Sequence, residues 1–269
     1  MSEWTDSGRT RRASRARSSS SETEKGRFRR AASSWRLLVC LSLVSVGMGQ
    51  PDPARADSPE APIAAGDLLP FEPRRASFRL RHAKEGDWET VSWSRTPVRG
   101  QASRVRVEVP GVSAALLERA DDGSIRILSH WDHQAGHRID YDPPTILLPA
   151  RLIEGEETRF VSQVVVYDTS DGSREASGKC VHTVRLVGRE SLETRAGRFD
   201  VVRVDLSREV DVPIAKARVT IELGFVPGRG RVLERTVEEL RFFGFVGKRE
   251  SSVLELVEEL PSLPPATQE

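Results

Sequence analysis

The chain has 269 residues, 38% of them hydrophobic and 30% charged, with a formal net charge of +1 at pH 7. That neutrality is uneven: residues 1–56 hold 11 of the 41 basic but only 5 of the 40 acidic side chains, which leaves 30 basic and 35 acidic, net −5, over residues 57–269. A mildly acidic remainder lacks the concentrated positive field that phosphate binding needs, which argues against nucleic acid as a partner.

Residues 1–56 read as a basic leader and signal peptide. Ser2 to Ser34 is rich in Ser and Arg and nearly devoid of apolar residues, so it has no core to bury and is expected to be disordered. It is either an extended n-region or chain upstream of the true start. Leu37 to Met48 is an apolar run of about a dozen residues, short of the roughly 20 that span a bilayer but suited to a signal h-region. Arg27, Arg29, Arg30 and Arg36 supply its positive flank, and Ala54-Arg55-Ala56 is a small-x-small cleavage pattern. The expected mature start is therefore near Asp57, in a periplasmic or secreted protein. Arg29-Arg30 invites a twin-arginine reading, but Ala31-Ala32 follow where that signal prefers bulky apolar residues. An uncleaved anchor is the other alternative. Cys40 lies inside the apolar run, without the small residues expected just before a lipidated cysteine. No second apolar run approaches membrane length, so no stable transmembrane span is expected after the leader.

The 213 residues from Asp57 onward suit one sizeable domain or two small ones, and a chain of this length buries about 70% of its unfolded surface and needs no disulfide to hold it. None is available internally, since Cys180 is the one cysteine beyond Cys40. It is either buried or paired with another chain, and burial is the plainer reading. Residues 57–72 read as a linker.

From 73 to 258 the chain alternates with a period of two. Phe78 and Leu80 share one face of Ser77–His82, and Arg104 to Val109 alternates cleanly up to Pro110-Gly111. Asp121-Asp122-Gly123 makes a hairpin turn between Ala114–Glu118 and Ser124–Leu128. Val112 to Ala120 is the one short stretch with helical spacing. Pro143-Pro144 and Pro149 bracket an extended segment that is expected to cross between two groups of strands, because proline cannot sit in a central strand. Phe160 to Tyr167, Val201 to Leu206, and Ala217–Leu223 with Gly230–Val237 continue the pattern, the last two reversed at Pro227-Gly228-Arg229-Gly230. Leu240 to Val257 is a final strand-like stretch, and residues 259–269 are expected to form a disordered tail. The fold class is all-β, an antiparallel barrel or open half-barrel behind a disordered leader.

Four segments, in order, carry a resemblance. Asp122-Gly123-Ser124-Ile125, Pro143-Pro144-Thr145-Ile146-Leu147-Leu148-Pro149, Ala196-Gly197-Arg198-Phe199-Asp200 and Phe225-Val226-Pro227-Gly228-Arg229-Gly230 resemble elements of a family of exported bacterial β-barrel domains of unknown function. The resemblance spans Leu69 to Val237. Arg195 and Arg198 stand where that family usually has Pro and Thr, and no Trp precedes Arg159-Phe160. It implies a barrel and carries no catalytic residue with it. Gly123, Gly197, Gly228 and Gly230 suit turns that need positive φ, and Phe199 is placed to cover a barrel end.

One cluster has the residue types for chemistry: His130-Trp131-Asp132-His133-Gln134-Ala135-Gly136-His137. Imidazole and carboxylate are ligands for zinc and similar metals, and His130, Asp132, His133 and His137 are the candidates. Alternation puts His130 and Asp132 on one face and His133 on the other, which favours a plain polar hairpin. Asp140 and Asp142 could bind calcium by type but lack the spacing of a calcium loop. Trp88, Trp93 and Trp131 lie on strands, in core or rim positions. No nucleophile elbow, zinc helix or phosphate loop is present. No cofactor is expected, and the reading is a non-enzymatic envelope protein. It would passively bind an apolar or lipid-like ligand, with a protein scaffold or a metal-dependent hydrolase at 130–137 as alternatives.

Overall fold

A computed structural model of the chain describes residues 61–83, 86–213, 215–242 and 245–261. The leader, the signal run and its cleavage site lie outside the described residues. Twelve antiparallel strands close into a barrel. In chain order they are β2 (Arg74–His82), β3 (Trp88–Val98), β4 (Gln101–Val109), β5 (Ser113–Arg119), β6 (Ile125–Asp132), β7 (His137–Leu148), β9 (Glu157–Asp168), β10 (Arg174–Thr194), β11 (Gly197–Val212), β12 (Ala215–Val226), β13 (Gly230–Phe242) and β14 (Phe245–Leu260). Each pairs with the next, and β14 pairs with β2, so the sheet closes on itself, with β7 beyond Asp142 and β10 beyond Arg185 outrunning β9. The half-barrel alternative is thereby set aside.

Period-two patterning builds this wall. On β12, Ala215, Ala217, Val219, Ile221 and Leu223 face the interior, while Lys216, Arg218 and Thr220 face out. The outward charges pair between strands. Glu222 forms an ion pair with Arg203 on β11 at 3.4 Å and accepts from Arg235 on β13 at 2.8 Å, and Arg79 reaches Glu255 at 2.7 Å. Each such pair is worth about 0.2–1 kcal/mol, so their larger meaning is where the wall sits. A membrane-spanning barrel presents an apolar outer band, whereas the outer face of β11 to β13 carries interstrand ion pairs.

Several segments differ from their sequence expectation. Val112 to Ala120 is not helical: β5 occupies Ser113–Arg119, because pairing with β4 and β6 on both sides outweighs a weak local helical spacing. The proline segment does not cross over. It completes β7, which stays paired to β6 as far as Leu148 but to β9 only through Asp142. Pro143 and Pro144 therefore fall beyond the last β9 pair, in residues 141–144 that bulge opposite Leu128, and Pro149 lies just past the end of β7. Residues 63–72 are not a linker. β1 (Ile63–Ala64) pairs with β8 (Arg151–Leu152), and α1 (Ala65–Leu68) follows. Ala65 N donates to Ala150 O at 3.2 Å and Gly228 N to Asp67 O at 2.7 Å. The segment thus crosses one barrel end from the corner after β7 to the β12–β13 turn, burying Ala65, Leu68, Leu69 and Phe71. The final strand runs to Leu260, past the expected start of the tail.

Gly123, Gly197, Gly228 and Gly230 all have positive φ, +85°, +119°, +75° and +98°. β10 outruns β9, which pairs only with Arg174 to Arg185; beyond it, apart from a single bridge between Leu186 and Glu154, β10 pairs with β11. Leu192 and Phe199 from this overhang pack on the cluster of Phe78, Trp93, Leu254 and Leu256, and Arg195 N donates to Glu255 Oε1 at 2.8 Å.

Candidate ligand cavity in the barrel interior

The interior is not filled. Beneath the N-terminal segment lies a cavity of about 90 Å³ whose wall is largely Leu69, Leu206, Ile221, Leu223 and Phe225. A second lobe of about 60 Å³ shares Trp93, Val107, Ala115, His130, Arg231 and Glu234 with the first and runs toward His82, Glu108 and Val112 at the opposite end. Four polar side chains enter the larger lobe: His130 from β6, Arg208 from β11, and Arg231 and Glu234 from β13.

Two bulges put these side chains there. Leu117 pairs with Ile127 but Leu116 with Ser129, so Leu128 is an extra residue in β6. Ile125 and Ile127 face inward before it, and His130 and Asp132 after it. On β13, Gly224 pairs with Leu233 and Phe225 with Arg231, leaving Val232 extra, so Arg231 and Glu234 reach the same cavity although three residues apart.

Arginines crowd the end under the N-terminal segment. The guanidinium carbons of Arg74, Arg95 and Arg231 lie 5.9, 5.8 and 5.9 Å from the Trp93 ring. Arg74 pairs with Glu259 at 2.8 Å, Arg95 donates to Glu72 O at 2.8 Å, and Arg231 pairs with Glu234. Gly230 is required here. A Cβ would meet Arg74 Nη1 at 3.2 Å and Arg95 Nη1 at 3.3 Å, in a backbone conformation that side chains avoid. Burial, then the charge of Arg74, lowers Arg231 to about 9 and Arg95 to about 10, so both remain cationic at neutral pH.

Deeper in, Arg208 is 5% exposed and donates from Nη1 to Tyr141 Oη at 3.4 Å. Burial, reinforced by the Arg208 charge, holds His130 down to about 3 and His182 well below its ordinary value. Both rings are neutral beside this cation. Burial also raises the Tyr141 hydroxyl and the Cys180 thiol. Cys180 is a buried free thiol.

The four metal candidates separate. His130 and Asp132 point inward, but Asp132 Oδ1 accepts from Gln134 N at 2.9 Å and Ala135 N at 2.8 Å, which spends it on the turn. His133 faces out toward Glu108 at 3.6 Å, and His137 pairs with Glu175 at 3.0 Å. Among the described residues, no three His, Cys, Asp or Glu side chains gather as a metal site needs. Trp93 is core, Trp88 is half exposed with Arg79 and Arg81 stacked at 4.1 and 4.5 Å, and Trp131 lies under Arg106 at 5.0 Å.

No protein-family model and no curated protein matches the sequence. Among solved structures, the chain is similar to an exported protein, so inferred, with a YmcC-like fold from Bacteroides fragilis, at 12% identity and TM-score 0.43. That match covers 74% of this chain and all of that one (100%). The hypothetical lipoprotein YmcC from Escherichia coli matches at 11% identity and TM-score 0.37, over 72% of this chain and 87% of its own. An inferred lipoprotein from Parabacteroides distasonis matches at 14% identity and TM-score 0.35, over 70% and 95%.

Of the polar side chains that enter the cavity only His130 was a sequence candidate, yet a signal existed for the others. Arg208 stands between Leu206 and Val210 on the inward phase of β11, and Glu234 shares the inward phase of Thr236 and Leu240 on β13. A charge on a buried phase is costly unless something answers it, and that makes such positions informative.

Proposed function

We propose that this is an exported cell-envelope protein whose barrel binds a small apolar ligand without transforming it. The observation that carries the reading is the apolar-walled interior cavity, entered by only a few polar groups, which is the usual composition of a small-molecule site. Export rests on the Leu37–Met48 run, its basic flank and Ala54-Arg55-Ala56.

Size narrows the ligand. Drug-sized sites occupy roughly 300–1,000 Å³, and an engineered cavity of about 150 Å³ takes up benzene. Lobes of about 90 and 60 Å³ accommodate one ring or one short chain. A whole lipid would require the segment over the barrel end, residues 63–71, to move aside.

Native mass spectrometry of protein purified from the envelope fraction tests this, alongside titration with 1-hexanol. The expected result is a discrete small-molecule mass increment, removable by organic extraction, and saturable hexanol binding. Bare polypeptide mass with no hexanol uptake would defeat the reading. A stoichiometric protein companion in place of a small molecule would favour a scaffold. N-terminal sequencing of the same material checks for a start near Asp57.

A further inference from the structure

We infer that the cavity selects a monoanion, a carboxylate on a short apolar body, with Arg208 as the residue that receives the charge. The inference rests on the proposed ligand cavity and specifies its occupant.

Arg208 carries the argument. A guanidinium offers five N–H donors in a planar fork and does not give up its charge at neutral pH. That of Arg208 is buried, lines the larger lobe, and makes one long hydrogen bond, to Tyr141 Oη at 3.4 Å. Its Nε has no hydrogen-bond partner. Among the described residues, no carboxylate lies within ion-pair distance of it, and the neighbouring His130 and His182 rings are neutral. Removing a charge from water without a counter-charge is expensive, so a cation held this way calls for an anion.

Counting charges around the lobe fixes how much. Arg231 is answered by Glu234, and Arg208 by nothing on the wall, so the lobe carries one net positive charge. A dianion such as phosphate would exceed that and would bring more acceptors than this mostly apolar wall has donors. A carboxylate matches on both counts. It takes two parallel N–H···O bonds from one guanidinium and leaves the rest of the molecule against Leu206, Ile221, Leu223 and Phe225.

Isothermal titration calorimetry at pH 7 with hexanoate and 1-hexanol separates charge from apolar contact. The expected result for the natural sequence is hexanoate bound roughly tenfold or more tighter than hexanol, the scale of a charge-assisted hydrogen-bond pair. Arg208→Met should abolish that preference while keeping hexanol, and Arg208→Lys should retain part of it. The ligand-free Arg208→Met variant should also melt no lower than the natural sequence, since an uncompensated buried charge is gone; a purely structural arginine would give a lower midpoint. Equal affinity of the natural sequence for the two probes, a comparison that needs no variant, would overturn the anion inference and leave the apolar site standing. Binding of neither probe would overturn both.

Discussion

Replacing Glu238 by Gln should remove a loss of stability on the alkaline side of neutrality. Glu238 lies inward on β13, 4% exposed, and is directly opposite Glu250 on β14. Burial, then the charges of Glu250 and Asp132, raise it from its ordinary 4.5 to about 8, with Lys248 opposing. The folded state therefore holds a proton that the unfolded chain has released. For an acid shifted in this direction, stability is greatest below the unfolded value and is lost as pH rises through the folded one. Each pH unit at full proton difference is worth about 1.4 kcal/mol. Between pH 7 and 8 the folded carboxyl goes from nearly all to half protonated, so the loss is about 1 kcal/mol. In that window Glu238 is the largest contribution: Asp132, raised by burial to about 7, adds a loss of only about 0.3 kcal/mol, which the last unfolded-imidazole protons of His130 and His182 roughly offset. Below the window, His130 and His182, whose lowered values make stability rise with pH, work in the opposite sense, as the unfolded imidazoles lose their protons. Above it, Arg231 at about 9 begins to contribute. Urea unfolding at closely spaced pH values is the assay. The natural sequence should lose about 1 kcal/mol from pH 7 to 8 and Glu238→Gln should stay nearly level. A level natural protein, or two parallel curves, would refute the reasoning.

Phe225→Ala removes a side chain that is 1% exposed and forms part of the cavity wall, and should cost about 3–5 kcal/mol in the same urea experiment. Gly230→Ala should cost about 1–3 kcal/mol and exceed Gly100→Ala, which has φ +73° but nothing within 4 Å of the added Cβ; equal losses would show that Arg74 and Arg95 do not crowd Gly230. In a Cys40→Ala background, Cys180 should resist thiol reagents in the folded protein and react in step with urea unfolding, because burial both shields the thiol and raises its pKa.

Much of the wall was legible in the sequence. The alternation at Arg104–Val109, the Asp-Gly turn before Ile125, and the pairing of Ala217–Leu223 with the strand after Gly230 all appear as read. The misreadings share a cause. Val112 to Ala120, the proline segment and residues 63–72 are short, and their local signals were outweighed by neighbours distant in the chain: β4 and β6 for the first, β6 for the second, Ala150 and Gly228 for the third. The His cluster drew notice by residue type, whereas Arg208, Arg231 and Glu234 look like ordinary charges of a surface strand until their phase is known.

Sequence alone determines which residues of a strand share a face, because successive side chains alternate whatever the partner. It also places the turns, since Gly228 and Gly230 allow a tight reversal that bulkier residues resist. Which face looks inward is another matter. Each bulge resets the phase, and whether one forms depends on hydrogen bonds to a strand elsewhere in the chain. Closure of β14 on β2 turned one side of the ribbon into an interior, and the extra residues Leu128 and Val232 turned His130 and Arg231 into it.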